Sequence, residues 1–584
     1  MAEEKLTPSQ ERELYEMKLK AIQYYSENGV PQRMEEVLNN MFYDAPTCVY
    51  GHLSNYFATF SKTPTVSKLA CREVLDSKGQ MALQTDVYCT VKNIVKLVCS
   101  SVSPNEGYPH DGIKNEEREE AEGERAKALT VAQQLISGEI SLALWGIDPC
   151  KQSEIDGAAE GVIQKLKEEE EEEKLKAQVE DEPSPCDITP PSESPSKGKG
   201  KVPSAKGKKG GKEAAPVVPT EPREKFFCGS NAMSAISQAV CQAAASANDL
   251  PLYEHVASLK FDEIPCAFKM PLPIVTILGS GKGALGKLNC VKEFMVVPRV
   301  GFSLNEAMKE ISAVYNFCAK AISVKGGMAA RYVNDIGALC PTYDRPEQGL
   351  DLLQEALTAL ELTEKFTIAL NCASHETFDM DKGKYEVTIG LMKSSEDLVD
   401  FWSDMLNRYP SVNILIDPIR KEDQESWMKL CGAVSEKCLV IGNAAYHRPG
   451  LLKNEEITPS FKSSGVIMQM ENVNTVSDII ASAKKLEDVD HHVGIGANNS
   501  ESCDTFLADL AVGMQACFIK IGAPCRADRV AKLNRLTQIE NELEEKGRLR
   551  KSEDLAFPSV RPPSPDPEEH ESPVPTPDSK KEKK

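Results

Sequence analysis

Apolar residues along the chain follow two different periods, and the switch between them divides the sequence. Over residues 8 to 61, Leu14, Met17, Ile22 and Tyr25, then Met34, Val37, Leu38 and Met41, then Leu53, Phe57 and Phe60 recur at helical spacing. That spacing predicts three short helices, separated by the turn chemistry of Asn28-Gly29-Val30-Pro31 and of Asp44-Ala45-Pro46. A helical hairpin this small buries little by itself, so its apolar face needs a partner. From Val66 the period becomes two: Met81, Leu83, Thr85, Val87, Cys89 and Val91 alternate with mostly polar neighbours after a turn at Asp76-Ser77-Lys78-Gly79. This predicts a β-hairpin. Helical patterns return near 119–137 and 229–247.

From about residue 265 to 548, short apolar runs alternate with amphipathic stretches. Ile274 to Leu278, Phe294 to Val297, Phe366 to Leu370, Ile414 to Ile416, Leu439 to Ile441, Val466 to Met468 and Phe518 to Ile521 read as buried strands. Helices such as 394–408 and 475–487 lie between them. That alternation is what a β/α barrel needs, with a doubly wound sheet as the alternative from pattern alone. Two segments cannot build a core. Glu168 to Glu173 lead into a stretch rich in Pro, Ser, Gly and Lys that runs to about Glu224, read as a disordered insertion. Its basic half, Lys197, Lys199, Lys201, Lys206, Lys208, Lys209 and Lys212, suits either an acidic surface such as tubulin or RNA, or a solvated linker. The proline-rich stretch after Phe557 reads as a tail.

Length and composition narrow the class. At 584 residues the chain exceeds one ordinary core, so several ordered units are expected. No run of eighteen apolar residues is present, and the start MAEEKLTPSQ is polar where a signal peptide would be basic and then apolar. The expectation is a cytoplasmic protein without a membrane span. The 18 cysteines are scattered through apolar stretches with no CxxC pair and read as reduced, mostly buried thiols; the eight histidines never sit at zinc-ligand spacing with them. A formal charge of −21 argues against nonspecific nucleic-acid binding.

REVLDSKGQ (72–80), LWGIDPCKQSEID (144–156), GSNAMSAISQAVCQAAA (229–245), PLYEHVASL (251–259), KEFMVVP (292–298) and FIKIGAPCRADRVAKLNRLTQIENEL (518–543) resemble the corresponding segments of enolases. The likeness runs, with interruptions, from about Ser67 to Gly547, and its overall organisation is similar to a divergent, sperm-associated branch of that family. It implies an α+β cap (62–264, carrying the insertion at 167–224), an enolase-type β/α barrel (265–548) and a disordered tail (549–584), preceded by the helical module (1–61). YYSENGVPQRMEEVLNNMFYDAPTCVYGHLSNYF (24–57) resembles the dimerisation-docking helices of the protein-kinase-A regulatory subunit and Dpy-30 type. Those helices bind amphipathic anchoring helices; a plain helical cap on the next domain is the alternative.

The family reaction is the reversible dehydration of 2-phosphoglycerate to phosphoenolpyruvate, a step of glycolysis. It proceeds through a highly charged enolate that enolase-type sites stabilise with a Lys or His base and Mg²⁺ on oxygen ligands. Carried over residue by residue, the resemblance places Gln469 (in VIMQMENVN) where the base lysine belongs, and Ile336 (in NDIGALCPT) at the acid, with Asp335 retained beside it. The three Mg²⁺ carboxylates match Asn371, Ile416 and Asn443, leaving Asp417 as a recruited ligand if metal binds. The phosphate-gripping triplet matches Ala497-Asn498-Asn499, and the serine-rich lid has no clear match near CTVKNIVKLVCSSVS. Glu293 and Lys520 survive, either as substrate-binding groups or simply as an ion pair with each other. Two functions stay open: a weak lyase on an altered site, or a catalytically dead assembly protein. The second would be held in a sperm flagellum or cilium by residues 8–61 and would form a dimer or a hetero-oligomer with other enolases.

Overall fold

In the computed structural model, residues 7–104, 115–180, 218–219, 227–299, 303–327, 332–444, 464–471 and 473–550 are described. The basic run Lys197 to Lys212 and the tail beyond 550 lie outside them. The chain divides into two compact units, residues 1–65 with 90–96, and the remainder.

The first unit holds three helices, α1 (Pro8–Glu27), α2 (Val30–Asp44) and α3 (Val49–Ala58). Pro8 at the first turn of α1 and a capping box between Thr7 and Gln10 start that helix. Gly29, at φ +62°, and Ala45, at φ +40°, take the left-handed conformation at the two breaks. Among the described residues of these helices only Val37 is buried, while Leu14, Met17, Ile22, Met34, Leu38, Phe42 and Tyr43 are exposed. Arg33 stacks over the Phe60 ring at 4.0 Å and Tyr56 donates to Glu36 at 2.7 Å.

The second unit opens with most of one sheet, β1 (Thr65–Leu75), β2 (Met81–Val91) and β3 (Ile94–Ser103), of which Thr65 and the residues 90–96 count with the first unit. The alternation through Cys89 predicted two of these strands; β3 was missed, because KNIVKLVCSS is exposed on both faces over its first half and shows no clean period. The helix Gln152–Glu180 runs straight through Glu168–Glu173, a stretch read from sequence as the start of the insertion. Glutamate is a good helix former, and Gln164–Glu168 and Lys165–Glu169 contacts at i, i+4 extend the helix past residue 167.

Eight strands close the barrel: β4 (Leu272–Gly279), β5 (Glu293–Pro298), β6 (Phe366–Asn371), then, after a small β7–β8–β9 excursion (Phe378–Asp379, Lys384–Thr388, Leu391–Lys393), β10 (Val412–Ile416), β11 (Leu439–Gly442), β12 (Gly465–Gln469), β13 (His492–Gly496) and β14 (Phe518–Gly522). A closed barrel replaces the doubly wound alternative. Its one departure from strict alternation is β5, which pairs antiparallel to both β4 and β6, because no helix separates β4 from β5. Leu272, Ile274, Met295, Val297, Ala369, Ile414, Leu439, Ile441, Ile467 and Phe518 fill the interior in layers. The outward faces pack beneath helices such as Ser395–Arg408, which buries Trp402, and Val476–Asp488.

Cap and barrel interlock through buried polar contacts. Asp156 accepts from the Ser477 amide (3.2 Å), the Ser477 hydroxyl (2.6 Å) and Gln152 (3.0 Å) at the start of helix Val476–Asp488, where a carboxylate also meets the positive end of the helix dipole. No disulfide joins the described cysteines; seven are buried, whereas Cys48, Cys228, Cys266 and Cys503 are exposed. No helix among the described residues is long and apolar enough to cross a membrane.

Packing is tight where helix Pro346–Ala359 crosses β5. A Cβ built on Gly349 would stand 2.6 Å from the ring of the fully buried Phe294. Gly349→Ala therefore overpacks the contact and lowers stability by about 1–3 kcal/mol in thermal or urea unfolding. Phe294→Leu in the same chain recovers part of that loss; strict additivity of the two costs would show that the contact is not the cause.

Candidate functional site

Side chains alternate along a strand, so a closed barrel gives each strand one inward position at its mouth. Counting up from the buried layers, those positions are Thr276, Glu293, Asn371, Ile416, Asn443, Gln469, Gly496 and Lys520. Register joins them around the rim: Glu293 pairs with Asn371, Asn371 with Ile416, Gln469 with Gly496, and Gly496 with the strand at Lys520. Glu293 begins β5 rather than ending it, yet reaches the same end of the barrel because β5 runs antiparallel.

The charged groups of this layer are already satisfied by each other. Lys520 donates to Glu293 at 2.7 Å, Asn371 donates to the same oxygen at 2.6 Å, and Thr276 donates to the other at 2.6 Å. Burial pushes the Glu293 carboxyl up, but the Lys520 charge and the three donors outweigh it and hold the group down to about 2. The ion pair foreseen as one of two roles for Glu293 and Lys520 is thus formed in the structure.

Asp417 lies one residue past β10 in a left-handed conformation, φ +47°. Its two oxygens accept from the Asn443 and Ala444 amides at 2.8 and 2.9 Å, which ties the ends of β10 and β11 together. Burial raises its pKa, offset in part by His375, by those two amides and by Lys520. Ile416 is fully buried and apolar. Asn371 spends its amide nitrogen on Glu293 and its oxygen on the Ala373 amide at 3.2 Å. Asn443 keeps one shielded carbonyl oxygen with no hydrogen-bond partner among the described residues.

Ile336 sits on a loop outside the barrel, its carbonyl accepting from the Ala523 amide at 3.0 Å beside Gly522. Its neighbour Asp335 pairs with Lys78 of the cap's first turn at 3.2 Å, and Ser77 exchanges bonds with Glu501 at 2.8 and 3.1 Å. Gln469 donates weakly to the Ala497 carbonyl at 3.3 Å. Asn498 donates to the Met470 carbonyl at 3.1 Å and Asn499 sits with its carbonyl on Arg529 at 2.8 Å, so neither presents a cation.

Sequence reasoning missed His375, Lys292 and Glu376. Lys292 and Glu376 pair at 2.6 Å beside the mouth, with His375 3.8 Å from the same carboxylate. The only sequence signal was charge adjacent to Glu293 and Asn371, which a solvated surface would show equally.

Mg²⁺ coordination requires several hard oxygen ligands, most of them carboxylate. This mouth offers Glu293, held by a lysine, and Asp417, held by two amides, and no group of His, Cys, Asp or Glu among the described residues could hold a metal ion. The residues present do not fit the ion.

An eight-stranded barrel whose second strand runs antiparallel, with its polar positions gathered at one mouth beneath an α+β cap, is an enolase-type architecture. Residues 267–555 match the enolase C-terminal TIM-barrel domain. The chain is 36% identical over 571 residues to human Enolase 4, covering 94% of this chain and 91% of that protein. It is 40% identical over 543 residues to Enolase 4 of Xenopus tropicalis, covering 92% and 93% respectively. Against the enolase of Solanum lycopersicum it is 32% identical over 321 residues, 54% of this chain and 71% of that one. The chain belongs to the enolase family.

Removing the lysine of the central pair strands a buried carboxylate. Lys520→Met should cost about 3–5 kcal/mol. In the wild type, Glu293 contributes stability that is fully present above its ordinary value of 4.5 and lost as pH falls toward about 2. Without the cation, burial raises the carboxyl instead, so the variant's deficit grows with pH. Unfolding midpoints of the two proteins should converge between about pH 7 and about pH 4; a gap that stays constant would show that the pair is not the source.

Proposed function

We propose that this chain is an enolase-family protein in which dehydration of 2-phosphoglycerate to phosphoenolpyruvate is lost or reduced to a trace, and that its barrel persists as a scaffold. One observation carries the reading: the only carboxylate in the inward layer of the mouth, Glu293, is bound to its only cation, Lys520. Drawing a proton from the carbon beside a carboxylate needs a free base, and the resulting enolate needs a concentrated positive charge. Gln469 cannot accept that proton, Ile336 cannot supply one to the leaving hydroxyl, and Ile416 cannot ligate a cation. General acid and base roles are worth about 10²–10⁴-fold each, so losing both removes most of the catalysis.

The test is steady-state turnover of 2-phosphoglycerate by purified protein with magnesium, free of other enolases. The rate should fall at least about 10⁴-fold below that of an ordinary enolase. Gln469→Lys alone should leave it there, because residues that act as a unit are not additive. Turnover of about 1–10³ per second would overturn the proposal.

The helical module supports a second role in assembly. Its three helices expose a row of large apolar side chains around a single buried valine. Two such modules side by side offer a groove for an amphipathic helix, in keeping with their likeness to docking helices. We place this activity in the cytoplasm, at a sperm flagellum or cilium, with the chain acting as a dimer or together with other enolases. Deleting residues 1–61 should abolish capture of flagellar anchoring proteins while the barrel's melting transition is retained. Undiminished capture would refute the docking role.

A further inference from the structure

The mouth of the barrel is polar without being charged, and that combination points to a ligand. Of its eight inward positions, Asn371, Asn443 and Gln469 are carboxamides, Thr276 is a hydroxyl, Ile416 and Gly496 are apolar, and Glu293 and Lys520 cancel each other. Three described cations near the rim are likewise paired: Lys292 with Glu376 at 2.6 Å, Lys78 with Asp335 at 3.2 Å, and Lys532 with Glu501 at 2.9 Å. Within the eight inward positions the one cation is Lys520, so a phosphate or carboxylate seated in that layer would have to break a buried ion pair to engage it.

On the arc β11–β12–β13 the opposite deficit appears. The Asn443 carbonyl oxygen, just past β11, is shielded and has no partner among the described residues. The same holds for the Asn498 carbonyl oxygen and the Ser500 hydroxyl just past β13, on residues only 1% exposed. These three atoms on one arc have no protein partner among the described residues and are open to a donor from an incoming molecule. The Gln469 side chain, at the end of β12 between them, donates to the Ala497 carbonyl at 3.3 Å. Four strands around the ring, β5 carries Glu293 opposite it. Directly beneath lie Ile441 and Ile467, with Ile416 beside them, an aliphatic floor.

We propose that the barrel mouth is a metal-independent binding site for a small uncharged polyhydroxy molecule, such as a free sugar or cyclitol, held by Asn443, Gln469 and Asn498 over that floor. Hydroxyls both donate and accept, so they satisfy unpaired carbonyl oxygens and the carboxamide N–H groups together. The C–H face of a ring sugar matches the aliphatic floor, as in most small-ligand sites, where a few placed polar groups stand over an apolar lining. This inference rests on the reading that the hydro-lyase site is lost.

Ligand-observed NMR titration of the full chain in EDTA tests it, with myo-inositol and D-glucose as uncharged probes and 2-phosphoglycerate and inorganic phosphate as anions. At least one uncharged probe should bind saturably, neither anion should compete with it, and magnesium should not change the isotherm. Asn443→Leu and, separately, Gln469→Leu should each weaken binding about tenfold or more, the loss expected for one good hydrogen bond plus a newly unpaired group. Both variants are to be read with their melting temperatures, and Gln469→Leu keeps the test open if Asn443→Leu fails to fold. Absence of saturation by both uncharged probes, competition by either anion, a requirement for magnesium, or indifference to both substitutions would overturn the proposal. Ordinary turnover of 2-phosphoglycerate would instead remove the reading beneath it, whereas slow turnover with no polyol binding removes only the inference.

Discussion

Closure of eight strands into one barrel is the constraint on which the rest of this protein depends. Once every strand is paired on both sides, the period of two leaves each strand a single inward residue at the mouth. The chemistry of the site is therefore fixed by eight side chains, while the fold is fixed by the layers below. Those layers are aliphatic, with Ile274, Ile414, Ile441 and Ile467 meeting at the axis. A carboxylate can become an amide or an isoleucine at the top layer without disturbing them. That separation lets the barrel keep its enolase fold while Ile416, Asn443 and Gln469 stand at its mouth.

Within the mouth, the Glu293–Lys520 pair is the element that resists further change. Each partner is nearly buried, and loss of either leaves the other as an uncompensated charge in a low-dielectric site. Stability thus retains the two charges whatever reaction the site performs. Their survival is poor support for catalysis. Asp417 is kept by a similar logic: its strained backbone and its grip on the Asn443 and Ala444 amides hold the ends of β10 and β11 in register.

The barrel was legible because seven of its eight strands carry short, mostly apolar runs, and its helices carry a clear apolar stripe; helix 475–487 was placed to within one residue of Val476–Asp488, whereas β13 (His492–Gly496) was missed because its glycines leave no apolar run. Strand direction was not legible. Nothing in KEFMVVP distinguishes a parallel strand from an antiparallel one, so the reversal of β5 appears only once it pairs with β4 and β6. The excursion β7–β9 escaped because its strands are two to five residues long and half exposed, too short to establish a period. At the site, motif comparison located positions but not partners. The pairing of Lys78 with Asp335 joins residues more than 250 apart in sequence, and the likeness of REVLDSKGQ to other enolases says nothing of which loop its turn meets.

One asymmetry in the mouth remains to be accounted for. A barrel that serves only as a scaffold gains most by filling its top layer with aliphatic side chains, as it has at Ile416, since each buried carbonyl without a partner is a net cost. At Asn443 and Asn498 that replacement has not occurred, although both stand where the family resemblance assigns charge. Amides are also the wrong residues for recruiting an anion. The hydroxyl-bearing ligand proposed above would complete their hydrogen bonds without bringing charge. On the proposed reading, a mouth without hydro-lyase activity still reports on a metabolite, with occupancy coupled to stability by simple mass action.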